Sequence, residues 1–177
     1  VIMISGWIPF PSAGEEQNKT SVLHRFAVVI PAHNEERVIG SMVKSLKKQK
    51  YPADRFDIFV ICDNCTDNTA YEAKKTGADV LIRRNNKKRG KGYALEWAFT
   101  RIFNMQKDYD AICVFDADNV VTSTYLKEIN TMLNMGHQVI QGYIDSKNPF
   151  DSWISLSYSI AFWLSNRVFQ QTRYNLG

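Results

Sequence analysis

Apolar and polar positions follow two periods in alternation along this chain. "FAVVIPA" (Phe26–Ala32) is a continuous apolar run closed by Pro31, the pattern of a strand covered on both faces. Over residues 35–50 the apolar positions Val38, Ile39, Met42, Val43 and Leu46 keep the 3.6-residue spacing of a helix, which Tyr51-Pro52 ends. The alternation then repeats. Strands are predicted over 56–62, 78–84, 111–117 and 138–144, and helices over 66–75, 92–105 and 123–135. Gly77 and Gly136 stand where helix C-caps are expected.

Strands separated by helices of this length imply crossover connections, hence an α/β fold with a mainly parallel, Rossmann-like sheet and helices on both faces. Such a sheet takes its ligand beyond the carboxyl ends of its strands. Four polar clusters fall on that edge: Pro31-Ala32-His33-Asn34-Glu35, Asp63-Asn64, the basic loop 83–91, and Asp116-Ala117-Asp118. No GxGxxG follows the first strand, and "RGKG" at 89–92 lacks P-loop spacing, so dehydrogenase-type and ATPase-type nucleotide binding are set aside.

The 177 residues, 45% apolar and 23% charged, describe a globular chain with a substantial core. Net charge is only +4, but six of the nine residues from 83 to 91 are basic. Cys62, Cys65 and Cys113 give no disulfide framework and suit a reducing compartment. Cys62-x-x-Cys65 follows a strand and precedes a helix, as redox sites do, yet it encloses Asp63 and Asn64 and holds only half the ligands of a zinc site. The polar stretch 11–24 makes 1–24 a lead-in to a domain over 25–177. The opening "VIMISGWIPFP" is shorter than a membrane span and lacks the flanks of a signal peptide. It reads as a lead-in or the tail of a span, and the abrupt ends suggest a piece of a longer protein.

Asp116 and Asp118 close a buried strand one residue apart. Two anions so placed repel each other, so a positive partner is expected, and hard oxygen donors at this density suit Mg²⁺ or Mn²⁺ shared with substrate phosphates. Asp63 lies in the crevice, where a carboxylate can accept from a nucleobase N–H. Thr66 and Asp67 read as cap and first-turn residues of the next helix. Glu35 is either a first-turn residue or a crevice residue. Arg84, Lys88, Arg89 or Lys91 can neutralise a diphosphate, and Lys91 is favoured because Gly90 and Gly92 flank it. His33 reads as a local hydrogen-bonding residue.

Taken in order, "VVIPAHNEE", "ICDNCTDNT", "RRNNKKRGKGYAL" and "VFDADN" resemble glycosyltransferase family 2, enzymes of GT-A fold, and within it the processive, exopolysaccharide-type members. The resemblance implies that Pro31, Ala32, Asn34 and Glu35 line a nucleoside pocket, that Asp63 contacts the base, and that Arg84 and Lys91 serve the diphosphate. It implies that Asp116, Ala117 and Asp118 hold metal and sugar-nucleotide. The implied reaction is an inverting transfer from a nucleotide-diphosphate sugar, UDP-sugar favoured, to a saccharide or lipid-linked acceptor. The implied setting is the cytoplasmic face of a membrane reached by segments outside this chain. The family places its general base after the segment seen here, and Asp145 and Asp151 are not promoted to that role. The aromatic stretch 152–174 reads as a helix on the sheet, or as a membrane contact.

Two rival readings compete with this one. A sugar-1-phosphate nucleotidyltransferase wants a glycine-rich basic loop after its first strand, where this chain has the acidic "PAHNEE". Nucleic-acid binding by 83–91 with Tyr93 and Trp97 is opposed by acidic clusters on the same edge.

Overall fold

The computed structural model describes residues 22–142 and 152–164. Strands β1 (Phe26–Ala32), β2 (Phe56–Asp63), β3 (Asp79–Arg83) and β4 (Ala111–Val114) form one parallel sheet in the order β3-β2-β1-β4. Helices α1 (Ile39–Lys47), α2 (Thr69–Lys75) and α3 (Lys91–Phe103) connect them in turn, and α4 (Tyr125–Asn134) follows β4. These elements make up one unit, Val22–Met135. A second unit contains the described residues from Gly136 onward, with helix α5 at Trp153–Leu164.

Both faces of the sheet are apolar because β1 and β2 are apolar at nearly every position. Ala27, Val29, Phe59 and Ile61 pack with Ala94, Ala98 and Ile102 of α3. The alternate set, Phe26, Val28 and Ile30, is equally inaccessible at 0% exposure, since successive strand side chains point to opposite faces. Burying residues of this kind contributes about 1.5–3 kcal/mol each. Among helices the expected stripe holds: Ile39, Met42, Val43 and Leu46 of α1 are all buried.

Pro31 sits inside β1 without breaking it. The Phe115 N–H donates to the Val29 carbonyl at 3.1 Å, so the nitrogen two residues on, at Pro31, faces the side that β4 has already left at Val114. A missing donor there costs no ladder bond. Gly77 terminates α2 as expected, with φ at 87° and its N–H bonded to the Lys74 carbonyl at 2.9 Å.

Several boundaries differ from expectation. α1 begins at Ile39 and α2 at Thr69, because the residues before each are held in turns by side-chain bonds described below. β4 stops at Val114. The fifth strand does not form over Gln138–Gly142: Val139 and Ile140 are adjacent apolar residues and not an alternating pair, and no ladder partner is present among the described residues. Tyr143 and Ile144 lie outside the described residues. α5 exposes Trp153 (77%), Ile154, Leu156 and Ile160.

Candidate functional site

The carboxyl ends of β1, β2 and β3 are joined by two asparagines in equivalent positions. Asn34 follows β1 with φ at 58°, and Asn64 follows β2 with φ at 53°, a left-handed conformation that asparagine tolerates better than most residues. Each reaches to the next loop along the sheet. Asn34 accepts the Thr66 N–H at 2.8 Å and donates to the Thr66 hydroxyl at 3.2 Å. Asn64 accepts the Asn85 N–H at 2.8 Å, donates to the Asn85 carbonyl at 3.2 Å, and its own N–H bonds to the Arg83 carbonyl at 2.8 Å.

Glu36 and Asp67 add a reciprocal clasp. The Glu36 N–H donates to Asp67 at 3.1 Å and Glu36 accepts the Asn68 N–H at 2.9 Å. Asp67 also accepts from the Thr69 N–H at 3.0 Å; burial works against its charge, but these bonds outweigh it and hold its pKa below the usual carboxylate range. Thr66 and Asp67 therefore brace loops and do not cap the helix as expected, and α2 starts later.

Between these braces lies a cleft of about 320 Å³. Pro31, Ala32, His33 and Glu35 line one wall, Asp63 and Asn64 the next, and Arg89, Gly90, Lys91 and Ala94 the third. Asp63 is 7% exposed and is paired with Arg83, itself 4% exposed, at 2.5 Å. A second arm of the same guanidinium donates to the Lys88 carbonyl at 2.6 Å, so one buried arginine ties the crevice carboxylate to the basic loop. Asn64 also donates to Asp63, at 3.1 Å. Both contacts fall on Oδ1, and Oδ2 has no hydrogen bond among the described residues. His33 Nδ1 lies 2.7 Å from the Asp63 carbonyl. A carbonyl only accepts, so Nδ1 carries the proton and His33 is a local brace, as expected.

The third wall opens helix α3. Gly90, at φ 111°, precedes it, and no side chain caps its N-terminus. The first-turn N–H groups thus have no intrahelical acceptor. A Cβ added at Gly90 or Gly92 would meet nothing within 4 Å, so space for a ligand lies above both. Lys91 crosses from this wall to the Asp116 carboxylate and forms an ion pair with it. Asp116 and Asp118 are both exposed, flanking Ala117 at 5% exposure, in a turn closed by the Asn119 N–H on the Asp116 carbonyl at 3.2 Å. The positive partner expected for this carboxylate pair is supplied in part by the chain itself.

Residues 24–176 match the model of the family described as Glycosyltransferase like family 2. This chain belongs to that family. Among its relatives, a probable glycosyltransferase of Bacillus subtilis, YdaM, is 37% identical over 106 residues, covering 55% of this chain and 23% of that protein. The beta-monoglucosyldiacylglycerol synthase of a Nostoc species is 28% identical over 162 residues, covering 85% of this chain and 32% of the enzyme. The chain thus spans about a fifth to a third of the length of the curated relatives it matches. The mannosyltransferase PcManGT of Pyrobaculum calidifontis, solved with GDP-Man and Mn²⁺, aligns with a TM-score of 0.55 at 19% identity, over 77% of this chain and 39% of that one. That likeness is one of architecture, the GT-A fold.

Within this GT-A framework the structure sorts the predicted residues. Pro31, Ala32, Glu35, Asp63 and Lys91 line one cleft. Asp116 joins it through Lys91. Asn34 does not line it and serves as a brace. Arg84 is exposed and outside the lining; the arginine built into the site is its neighbour Arg83, which sequence reasoning counted only as one charge in the run. The available signal was parity. β3 pairs Asp63 with Arg83 in register, and adjacent in-register side chains share a face.

Proposed function

We propose that this chain carries the donor-binding part of an enzyme that transfers a sugar from a nucleotide diphosphate to an acceptor hydroxyl. The supporting observation is the convergence of Asp63 and Lys91 on one cleft, with Asp116 tied to Lys91. A single cleft then offers a carboxylate for a base and cationic groups for a diphosphate. Family membership makes sugar-nucleotide chemistry the favoured reading over a nucleotidyltransferase.

The base end favours uridine. Asp63 has one carboxylate oxygen occupied by Arg83 and Asn64 and one without a partner among the described residues. One available acceptor matches the single imide N–H of uracil. Guanine presents a ring N–H and an adjacent amino group, which together call for both oxygens. At the other end, Lys91 and the uncapped first turn of α3 suit the diphosphate.

Asp116 and Asp118 fit Mg²⁺ or Mn²⁺, because these ions are commonly held by one or two carboxylates together with substrate phosphates. No cluster of three or more His, Cys, Asp or Glu that could hold a metal occurs among the described residues, so the pair would hold the ion jointly with the donor. When bound, the ion supplies positive charge against the departing diphosphate. Attack of the acceptor hydroxyl on the anomeric carbon, opposite the leaving group, inverts that centre. The residue that takes the hydroxyl proton is not assigned; Asp145 and Asp151 lie outside the described residues.

We extend the reading to a saccharide or lipid-linked acceptor, in exopolysaccharide-type synthesis, at the cytoplasmic face of a membrane. A relative named for a glucosyldiacylglycerol product supports a lipid acceptor. No helix among the described residues is long and apolar enough to cross a membrane. Melting this chain with UDP or GDP, each with and without Mn²⁺, tests the donor reading. UDP with Mn²⁺ should raise the melting temperature most; a flat response to every nucleotide, or a larger one to GDP, defeats it.

A further inference from the structure

The cleft wall contains a chemical pair that sugar transfer does not use. Cys62 ends the apolar part of β2 and is 1% exposed, and Cys65, three residues on, is half-buried. Both converge on Ala32 of the cleft. Cys62 is the ladder partner of Ala32, and the Cys65 thiol reaches the Ala32 carbonyl at 3.4 Å. The residues they enclose are Asp63, which lines the cleft, and Asn64, which braces the basic loop.

We propose that Cys62 and Cys65 form an oxidisable dithiol whose disulfide closes around Asp63 and Asn64 and weakens nucleotide binding. Chemically the pair is prepared for this. The neighbouring Cys62 thiol brings the Cys65 pKa down to about 6 against the opposing effect of burial, while Cys65 and burial together push Cys62 up. Cys65 is therefore the nucleophile and Cys62 the resolving thiol.

With hydrogen peroxide as oxidant, the Cys65 sulfur attacks one peroxide oxygen, the O–O bond breaks, and a sulfenic acid and hydroxide form. Cys62 then attacks that sulfur, the S–S bond forms, and the hydroxyl leaves with the thiol proton as water. Two thiols are oxidised and one peroxide is reduced to two waters. An S–S bond of about 2 Å would tie the end of β2 to the residue after Asn64, and closing it has to move the turn carrying Asp63 and Asn64. Zinc does not suit the pair, since no group of three metal-ligating side chains occurs among the described residues.

The nucleotide half of this inference rests on the proposed function, and the test separates the two. Protein treated with hydrogen peroxide is counted for free thiols and weighed intact, without and with dithiothreitol. Two of the three thiols should disappear as one intramolecular disulfide, reversibly, leaving Cys113, which is 0% exposed. Cys65→Ser, which retains a hydroxyl donor for Ala32, should lose no thiol pair and keep its UDP affinity after peroxide. In the parent, oxidation should weaken UDP binding by about fivefold, the factor carried by one net hydrogen bond. Three surviving thiols, overoxidation of Cys65 alone, or cross-linked dimers would overturn the dithiol. A reversible disulfide with unchanged UDP affinity would overturn the link to the cleft. If reduced protein fails to bind UDP, the donor reading is lost and the link with it, while the thiol count still decides the dithiol.

Discussion

At the β2–β3 end of the cleft the polar groups are buried and already paired: Asp63 and Arg83 are 7% and 4% exposed, and Asn64 fixes the adjoining loop through its amide. At the β4 end, Lys91, Asp116 and Asp118 stand in solvent, with Lys91 and Asp116 joined by an exposed ion pair. The difference follows from what each end has to meet. A flat heterocycle with a fixed hydrogen-bond edge rewards a rigid acceptor, so the burial cost of Asp63 is offset in advance by Arg83. A diphosphate with a hydrated cation brings its own charge and waters, and a site finished by its ligand needs mobile, exposed groups.

The sharpest way to break this comparison is to remove one cation from each end. Arg83→Ala leaves a buried carboxylate unpaired and should cost about 3–5 kcal/mol in urea unfolding. Lys91→Ala should change stability by less than about 1 kcal/mol, as exposed pairs do, yet reduce UDP affinity. Equal losses of stability would erase the distinction between the ends.

Next in size is the ligand effect. At a hundredfold excess over Kd, UDP with Mn²⁺ should stabilise the parent by about 2.7 kcal/mol. Asp118→Ala should lose the Mn²⁺-dependent part and keep the melting temperature of the unliganded protein. A mutant that responds to Mn²⁺ like the parent removes Asp118 from the metal assignment.

Asn64→Ala should cost about 2 kcal/mol in denaturant unfolding, because it removes the brace to Asn85 and leaves a Cβ residue in the left-handed region. Asn64→Gly should recover part of that loss, since glycine adopts this conformation freely. No difference between the two would show that the bonds matter and the backbone conformation does not.

The smallest expected effect lies away from the cleft and calibrates the others. Asp57 is partly desolvated, but hydrogen bonds from Lys107 at 2.9 Å and Tyr109 at 2.7 Å outweigh this and lower its pKa. A depressed carboxylate contributes stability above its unfolded pKa and loses it as pH falls through the folded value. Asp57→Asn should therefore destabilise by under about 1 kcal/mol at pH 7 and by less at pH 3. A mutant deficit that grows on acidification would reverse the sign.

Much of the framework was legible in advance because it depends on neighbours in sequence. The run Phe26–Ala32, the α1 stripe and the glycine after α2 are local patterns, and they placed the four polar clusters on one edge. The late starts of α1 and α2 were not legible. They arise from Asn34, Glu36 and Asp67 bonding across loops about 30 residues apart, and those bonds compete with the first helical turn. Over 138–142, the described part of the expected fifth strand, no strand forms for a related reason: an apolar pair does not make a strand without a partner edge.

Sequence alone determined the alternation of elements, the ligand edge and the residue types on it, since periodicity and turn chemistry act over a few residues. Tertiary structure decided the partners. That Arg83 and not Arg84 meets Asp63 depends on the register of β3 against β2, and that Lys91 meets Asp116 depends on where α3 begins beside β4. Register and helix placement are set by packing both faces of the sheet at once, a condition no single stretch of chain contains.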